Sequence, residues 1–182
     1  MGYLHRFKKL YLIDLPPAAR CDMYKEVVID EKCNNGEVVI KYGDMTELGD
    51  FPDESVDFVW SGQSIEHVSP NDGVKMCQAA FRVLKHGGAF CLDTPNRRLT
   101  EIHTRDIGGG FIHPEHCIEY YPDHLKQVLV NAGFEVRHVY GICEMPNTVA
   151  TGSFCYADFI NGKQLTDEVN QAYIQYFHCV KP

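Results

Sequence analysis

The sequence predicts a single α/β domain whose mostly parallel sheet is closed by an antiparallel C-terminal strand, and three observations carry this. Short apolar, β-branched runs alternate with helical patterns between turn signals along the chain. The order Val56–Trp60 as strand, a helix from Ser69 to about Lys85, and Ala89–Thr94 as strand requires a right-handed crossover within a parallel sheet. The run Ala172–Val180 is a strong strand pattern that pairs antiparallel with its predecessor. A length of 182 residues suits one hydrophobic core, so residues 1–182 are expected to form one domain.

Taken in chain order, Leu10 to Leu15 reads as a strand, and a helical stretch lies between Pro17 and Lys32. Glu37–Tyr42 is β-branched and bounded by Asn34-Asn35-Gly36 and Gly43-Asp44, hence a strand that ends beside an acid. Val56–Trp60 ends in Ser61-Gly62. Ser69-Pro70-Asn71-Asp72 combines an N-cap, a proline in the first helical position and an acid in the first turn. Cys77, Ala80, Phe81 and Leu84 make that helix's apolar stripe, and Gly87-Gly88 stops it before the buried strand Ala89–Thr94. Residues 95–122 form a glycine-containing connection. Pro122 opens a further helix with Leu125, Val128, Leu129 and Ala132 on one face, closed by Gly133 ahead of the strand Phe134–Val139. Residues 141–171 are a turn-rich insertion before the last strand.

Composition narrows the functional classes. An apolar share of 45% with 23% charged residues excludes disordered and collagen-like chains. The net charge of −8 argues against electrostatic steering toward nucleic acid. Apolar runs such as Leu10–Ile13 fall far short of the roughly 18 residues that span a bilayer, and no signal-like start develops, so a cytoplasmic protein without membrane attachment is expected. Arg6 and the terminal CVKP break the myristoylation and prenylation patterns. The eight cysteines include no CxxC pair and read as reduced, mostly buried thiols. His113, His116 and Cys117 crowd one segment, but Pro114 breaks helical presentation and no second ligand pair lies nearby, so no metal is expected.

The ordered run GDMTELGDFPDESVDFVWSGQSIEHV, followed by FRVLKHGGAFCLDTPN, resembles the class I S-adenosylmethionine-dependent methyltransferases. The likeness spans roughly residues 10 to 182. It implies a Rossmann-like sheet, S-adenosylmethionine as cofactor, and methyl transfer to a small-molecule or glycan acceptor. An acid at the carboxyl end of a parallel strand sits where doubly wound sheets bind nucleotides. By resemblance, Asp44 would meet the adenine amine with Met45 beside the ring, while Ser61, Gly62 and Gln63 would line the methionine end. His67, of the Glu66-His67 pair, is the candidate general base. Asn96, Arg97, His113 and His116, within the 95–122 segment, are the candidate acceptor contacts, and the glycines Gly108-Gly109-Gly110 suit a lid.

The family's N-terminal glycine loop is missing, and two registers follow. In the first, Leu10 to Leu15 is the family's second strand, Asp14 is the ribose acid and the first strand is lacking. In the second, Leu10 to Leu15 is the first strand, and Val27-Val28-Ile29-Asp30 supplies the second with Asp30 on the ribose. The first register implies a shortened relative that completes its sheet by forming a homo-oligomer. The alternative function is a non-catalytic methyltransferase-like module that binds a ligand or partner.

Overall fold

The computed structural model describes residues 7–19, 36–105 and 107–182. The chain divides into two compact units, the first ending at Leu48 and the second running from Gly49 to Pro182. Among the described residues the strands form one two-stranded and one five-stranded sheet.

In the first unit, β1 (Lys9–Asp14) and β2 (Glu37–Tyr42) pair in parallel along their whole length, from Lys9 opposite Glu37 to Asp14 opposite Tyr42. This ladder favours the first register. The second register would instead pair each of these strands with Val27–Asp30. Asp30 itself lies outside the described residues, as do Cys21 and Cys33.

The second unit carries a five-stranded sheet of β3 (Val56–Gly62), β4 (Leu84–Pro95), β7 (Ala172–Val180), β5 (Glu135–Glu144) and β6 (Leu165–Thr166), in that spatial order. β3 and β4 run parallel, whereas β7 is antiparallel to both β4 and β5, as the sequence predicted for the terminal strand. α1 (Pro70–Val83) connects β3 to β4. Its start follows from sequence: the Ser69 hydroxyl accepts from the Asp72 backbone N–H at 3.2 Å, and proline fills the first position, where no N–H is needed.

The helix ends two residues earlier than expected, and β4 absorbs the glycines meant to precede it. Leu84 pairs with Val56 and Ala89 with Phe58, so the extra residues bulge out between them, with Gly87 at φ 75° turning the chain. α2 (Arg97–Arg105) follows β4 where the sequence suggested only a loop, and α3 (Pro122–Asn131) lies where predicted. The 141–171 segment holds the C-terminal end of β5, α4 (Pro146–Thr151), α5 (Asp158–Asn161) and the short β6.

One sheet face supplies the main core. Phe90 and Leu92 stand opposite Cys179 and Phe177 across the β4–β7 ladder, and all four are buried. Phe134 stacks edge-on to Phe81 of α1 and lies against Phe90, each at 5.2 Å between ring centres. Burial of each such side chain contributes about 1.5–3 kcal/mol. A second cluster of Leu99, Cys143, Met145 and Tyr173, flanked by Phe154 and Phe159, anchors α2.

Gly133 ends α3 at φ 106°, and a Cβ there would meet the Phe81 ring at 2.8 Å. Gly133→Ala is therefore expected to lower unfolding free energy by roughly 1–2 kcal/mol, read as a reduced denaturation midpoint with unchanged slope. Cys77, Cys91, Cys143 and Cys179 are free and buried, and burial pushes the Cys77 and Cys179 thiols up to about 12, so they stay protonated and unreactive. No helix among the described residues is long and apolar enough to cross a membrane.

Candidate active site

Parallel α/β sheets bind ligands outside the carboxyl ends of their strands, and several expected residues stand at such ends. In the first unit, Asp14 terminates β1 and its Oδ1 accepts from the Leu15 N–H at 2.7 Å. The Gly43 N–H donates to the Asp14 carbonyl, the last rung of the parallel ladder. Asp44 follows in that turn, exposed, with its Oδ1 accepting from the Thr46 N–H at 2.7 Å and its carbonyl from Glu47 and Leu48. Asp44 thus shapes its own turn, and Met45 beside it is half-buried.

In the second unit, β3 delivers Ser61, Gly62 and Gln63 to its carboxyl end. Ser61 is 9% exposed and its hydroxyl has no hydrogen-bond partner. A side chain at position 62 would be crowded, since a Cβ there would lie 2.8 Å from Trp60 Nε1. Gln63 adopts φ 48°, unusual for a residue with a Cβ, and is clamped by its neighbour strand. Its backbone N–H donates to the Asp93 carbonyl at 3.0 Å and its Nε2 to Asp93 Oδ1 at 2.6 Å. Asp93 was not singled out in the sequence, although it too ends a strand beside Thr94.

The short 3-10 turn Ile65–His67 then places Glu66 inward and His67 half-buried. Thr94 donates its hydroxyl to Glu66 Oε2 at 2.8 Å, while Glu66 Oε1 is buried without a partner. Burial pushes the Glu66 carboxyl above its usual range. The backbone N–H groups of Cys117 and Ile118 both donate to the Glu66 carbonyl, and the Cys117 thiol donates to the His67 carbonyl. These bonds carry the 113–118 loop onto the turn. The His67 ring consequently meets His116 edge-on at 4.9 Å and His113 at 6.0 Å.

Behind His116 sits Glu119, a residue that carries no motif in the sequence. Its side chain is fully buried. Oε1 accepts from the Ile112 N–H and from His116 Nδ1, each at 2.8 Å; Oε2 accepts from the Thr100 hydroxyl and from Arg97 at 3.3 Å. Arg97 also donates to the Gly110 carbonyl and lies over the Phe111 ring.

The structure therefore gathers His67, His113 and His116, and ties Arg97 to them through Glu119. It places Asn96 differently from expectation. Asn96 is fully buried, its amide donates to the Val169 and Ala172 carbonyls, and its Oδ1 accepts from the Arg98 N–H, so it holds the start of α2 rather than facing an acceptor. The Gly108–Gly110 run is exposed, with nothing near the positions a side chain would occupy, whereas the remainder of the segment is anchored by Glu119 and by Asn96 bridging to Tyr120.

Comparison with known proteins agrees with this architecture. A family model described as a methyltransferase domain matches residues 2–92, half of the chain. A probable S-adenosylmethionine-dependent methyltransferase of Mycolicibacterium smegmatis is 39% identical over 105 residues, covering 58% of this chain and 38% of that protein. Another, from Mycobacterium tuberculosis, is 36% identical over 97 residues, covering 53% of this chain and 33% of that protein. The matched part of the chain thus spans little more than a third of these relatives. Among solved structures, a methyltransferase of Thermotoga maritima superposes with TM-score 0.63 at 16% identity, covering 96% of this chain and 82% of that one. One from Archaeoglobus fulgidus gives 0.60 at 16%, covering 99% and 89%. At such identity these two matches speak for the fold alone.

Proposed function

The chain belongs to the methyltransferase domain family, and from that premise we propose that it transfers a methyl group from S-adenosylmethionine to a small-molecule or glycan acceptor in the cytoplasm. The observation that carries the reading is the unpartnered Ser61 hydroxyl at the carboxyl end of β3, beside a glycine whose Cβ position is crowded by the Trp60 ring. A ligand bearing both donors and acceptors would satisfy that hydroxyl, and the carboxylates of Asp14 and Asp44 at strand ends suit hydroxyl and amine donors. Within each unit taken by itself, the donor set suits the part of the methyl donor that the resemblance assigns to it.

When bound, S-adenosylmethionine supplies an electrophilic methyl on a sulfonium, displaced in line by the acceptor. By the family resemblance, Asp44 would accept from the adenine amine with Met45 beside the ring, Asp14 would accept from the ribose hydroxyls, and Ser61, Gly62 and Gln63 would line the methionine end. His67 would take the acceptor's proton, while Arg97, His113 and His116 would orient the acceptor. Rate comes mainly from alignment, because the leaving group needs little assistance. The net charge of −8 disfavours a polyphosphate acceptor.

Amide hydrogen exchange with S-adenosylhomocysteine tests the placement. Protection is expected in residues 43–48 and 61–64. Asp44→Ala should weaken binding by about 10- to 100-fold, the loss of one charged hydrogen bond. Undiminished affinity in that variant would overturn the assignment of Asp44.

A further inference from the structure

We infer that Glu66, His67 and His116 form a binding site for a first-row divalent transition metal ion. One carboxylate oxygen of Glu66 and one ring nitrogen each of His67 and His116 lie within 4.8 Å of one another, a spacing that a shared cation can close. The sequence offered no second ligand pair beside His116. Folding supplies it from Glu66-His67, some fifty residues upstream, through the bonds from Cys117 and Ile118 to the Glu66 carbonyl.

Two independent features point to a ligand at this place. Glu66 is 0% exposed and its Oε1 has no hydrogen-bond partner, a costly arrangement for a carboxylate unless something positive meets it. His116 is supported as metal-binding histidines are: its Nδ1 bonds to the buried Glu119 carboxylate, which leaves Nε2 to present its lone pair. Thr94 fixes the other Glu66 oxygen in the same way.

Two imidazoles and one carboxylate select a borderline metal such as Zn²⁺, Fe²⁺ or Co²⁺ over Mg²⁺ or Ca²⁺, which prefer oxygen ligands alone. His113 lies 5.4 Å from His116 between ring centres, and its Nδ1 accepts from the Glu115 N–H. A cation here would stand at the carboxyl end of β3 and β4, on the acceptor side of the proposed reaction. In that state the His67 lone pair serves the metal and not the acceptor's proton, so this inference rests on the methyl-transfer reading for its place in the reaction, though not for binding itself.

Metal-free, tag-free protein is titrated with Co²⁺ and separately with Mg²⁺, following Co²⁺ ligand-field absorbance and calorimetric heat. One equivalent of Co²⁺ is expected to bind with a nitrogen–oxygen ligand spectrum, and Mg²⁺ far more weakly. His67→Ala, whose ring is only half-buried, should lose at least about tenfold in Co²⁺ affinity. Glu119→Gln should lose about 10- to 100-fold by releasing the His116 ring while all direct ligands remain. Absence of Co²⁺ binding at millimolar metal, or full affinity in His67→Ala, overturns the site. S-adenosylhomocysteine affinity is measured on the same samples: if it persists while Co²⁺ fails to bind, only the cation site falls, and if it alone is absent, only the methyl-donor reading falls.

Discussion

Glu119→Ala is expected to cost about 3–5 kcal/mol of unfolding free energy, the largest effect of any polar substitution in the second unit. The carboxylate is fully buried and receives four donors: the Arg97 guanidinium, the Thr100 hydroxyl, the Ile112 backbone N–H and the His116 ring. Truncation leaves the Thr100 hydroxyl, the Ile112 N–H and the His116 ring without this acceptor in a largely buried site, while Arg97 keeps the Gly110 carbonyl, and the penalty is mainly desolvation of the first three. Because Arg97 opens α2 and Ile112 and His116 lie in the following loop, the damage should spread across residues 97–119. Urea unfolding should show a lower midpoint with unchanged slope, and amide exchange should accelerate first in that segment. A midpoint within experimental error of the wild type would show that Glu119 is not the node of this segment.

Asp158→Ala should be nearly as damaging, at about 2–4 kcal/mol. Asp158 is 0% exposed and accepts from the backbone N–H and side-chain groups of both Asn147 and Thr148, the first turn of α4. Burial pulls its carboxyl upward, but these hydrogen bonds outweigh burial and hold it below its ordinary value. The sign of the pH dependence follows. A depressed carboxyl contributes stability that is complete above its unfolded value, near pH 4, and is lost as pH falls through the lower folded value. The difference in unfolding free energy between wild type and Asp158→Ala should thus be constant near neutrality and shrink below about pH 4. A gap that widened on acidification would contradict the assignment.

What the sequence disclosed and what it hid divide along the range of the interactions. β2 and β7 lie at the residues their β-branched and aromatic runs indicated, and α1 begins at the predicted Ser69 cap, because strand propensity and capping are local. The boundary between α1 and β4 shifted because a bulge in a ladder depends on the partner strand. α2 escaped notice because RRLTEIHTR is mostly polar; its stability comes from Leu99 in the second core cluster and from Asn96 and Glu119 beneath it.

The same division holds at the candidate site. Strand-end residues such as Asp14, Asp44, Ser61 and Gly62 were legible from turn chemistry and family resemblance. The choice between the two N-terminal registers was not, since it rests on β1 pairing with β2 across more than twenty residues. Nor was the meeting of Glu66-His67 with His116, which exists only because a loop folds back onto the Glu66 carbonyl. Asn96 resembled an acceptor contact in sequence and proved to be a buried brace, a distinction that polarity alone cannot reveal.

Isothermal calorimetry of the purified 182-residue chain with S-adenosylmethionine and S-adenosylhomocysteine bears most directly on the methyl-donor claim. A saturable single-site isotherm for both ligands, weakened by Asp44→Ala, is the predicted result. The absence of any binding heat at millimolar ligand, from protein whose unfolding transition shows it to be folded, would contradict it.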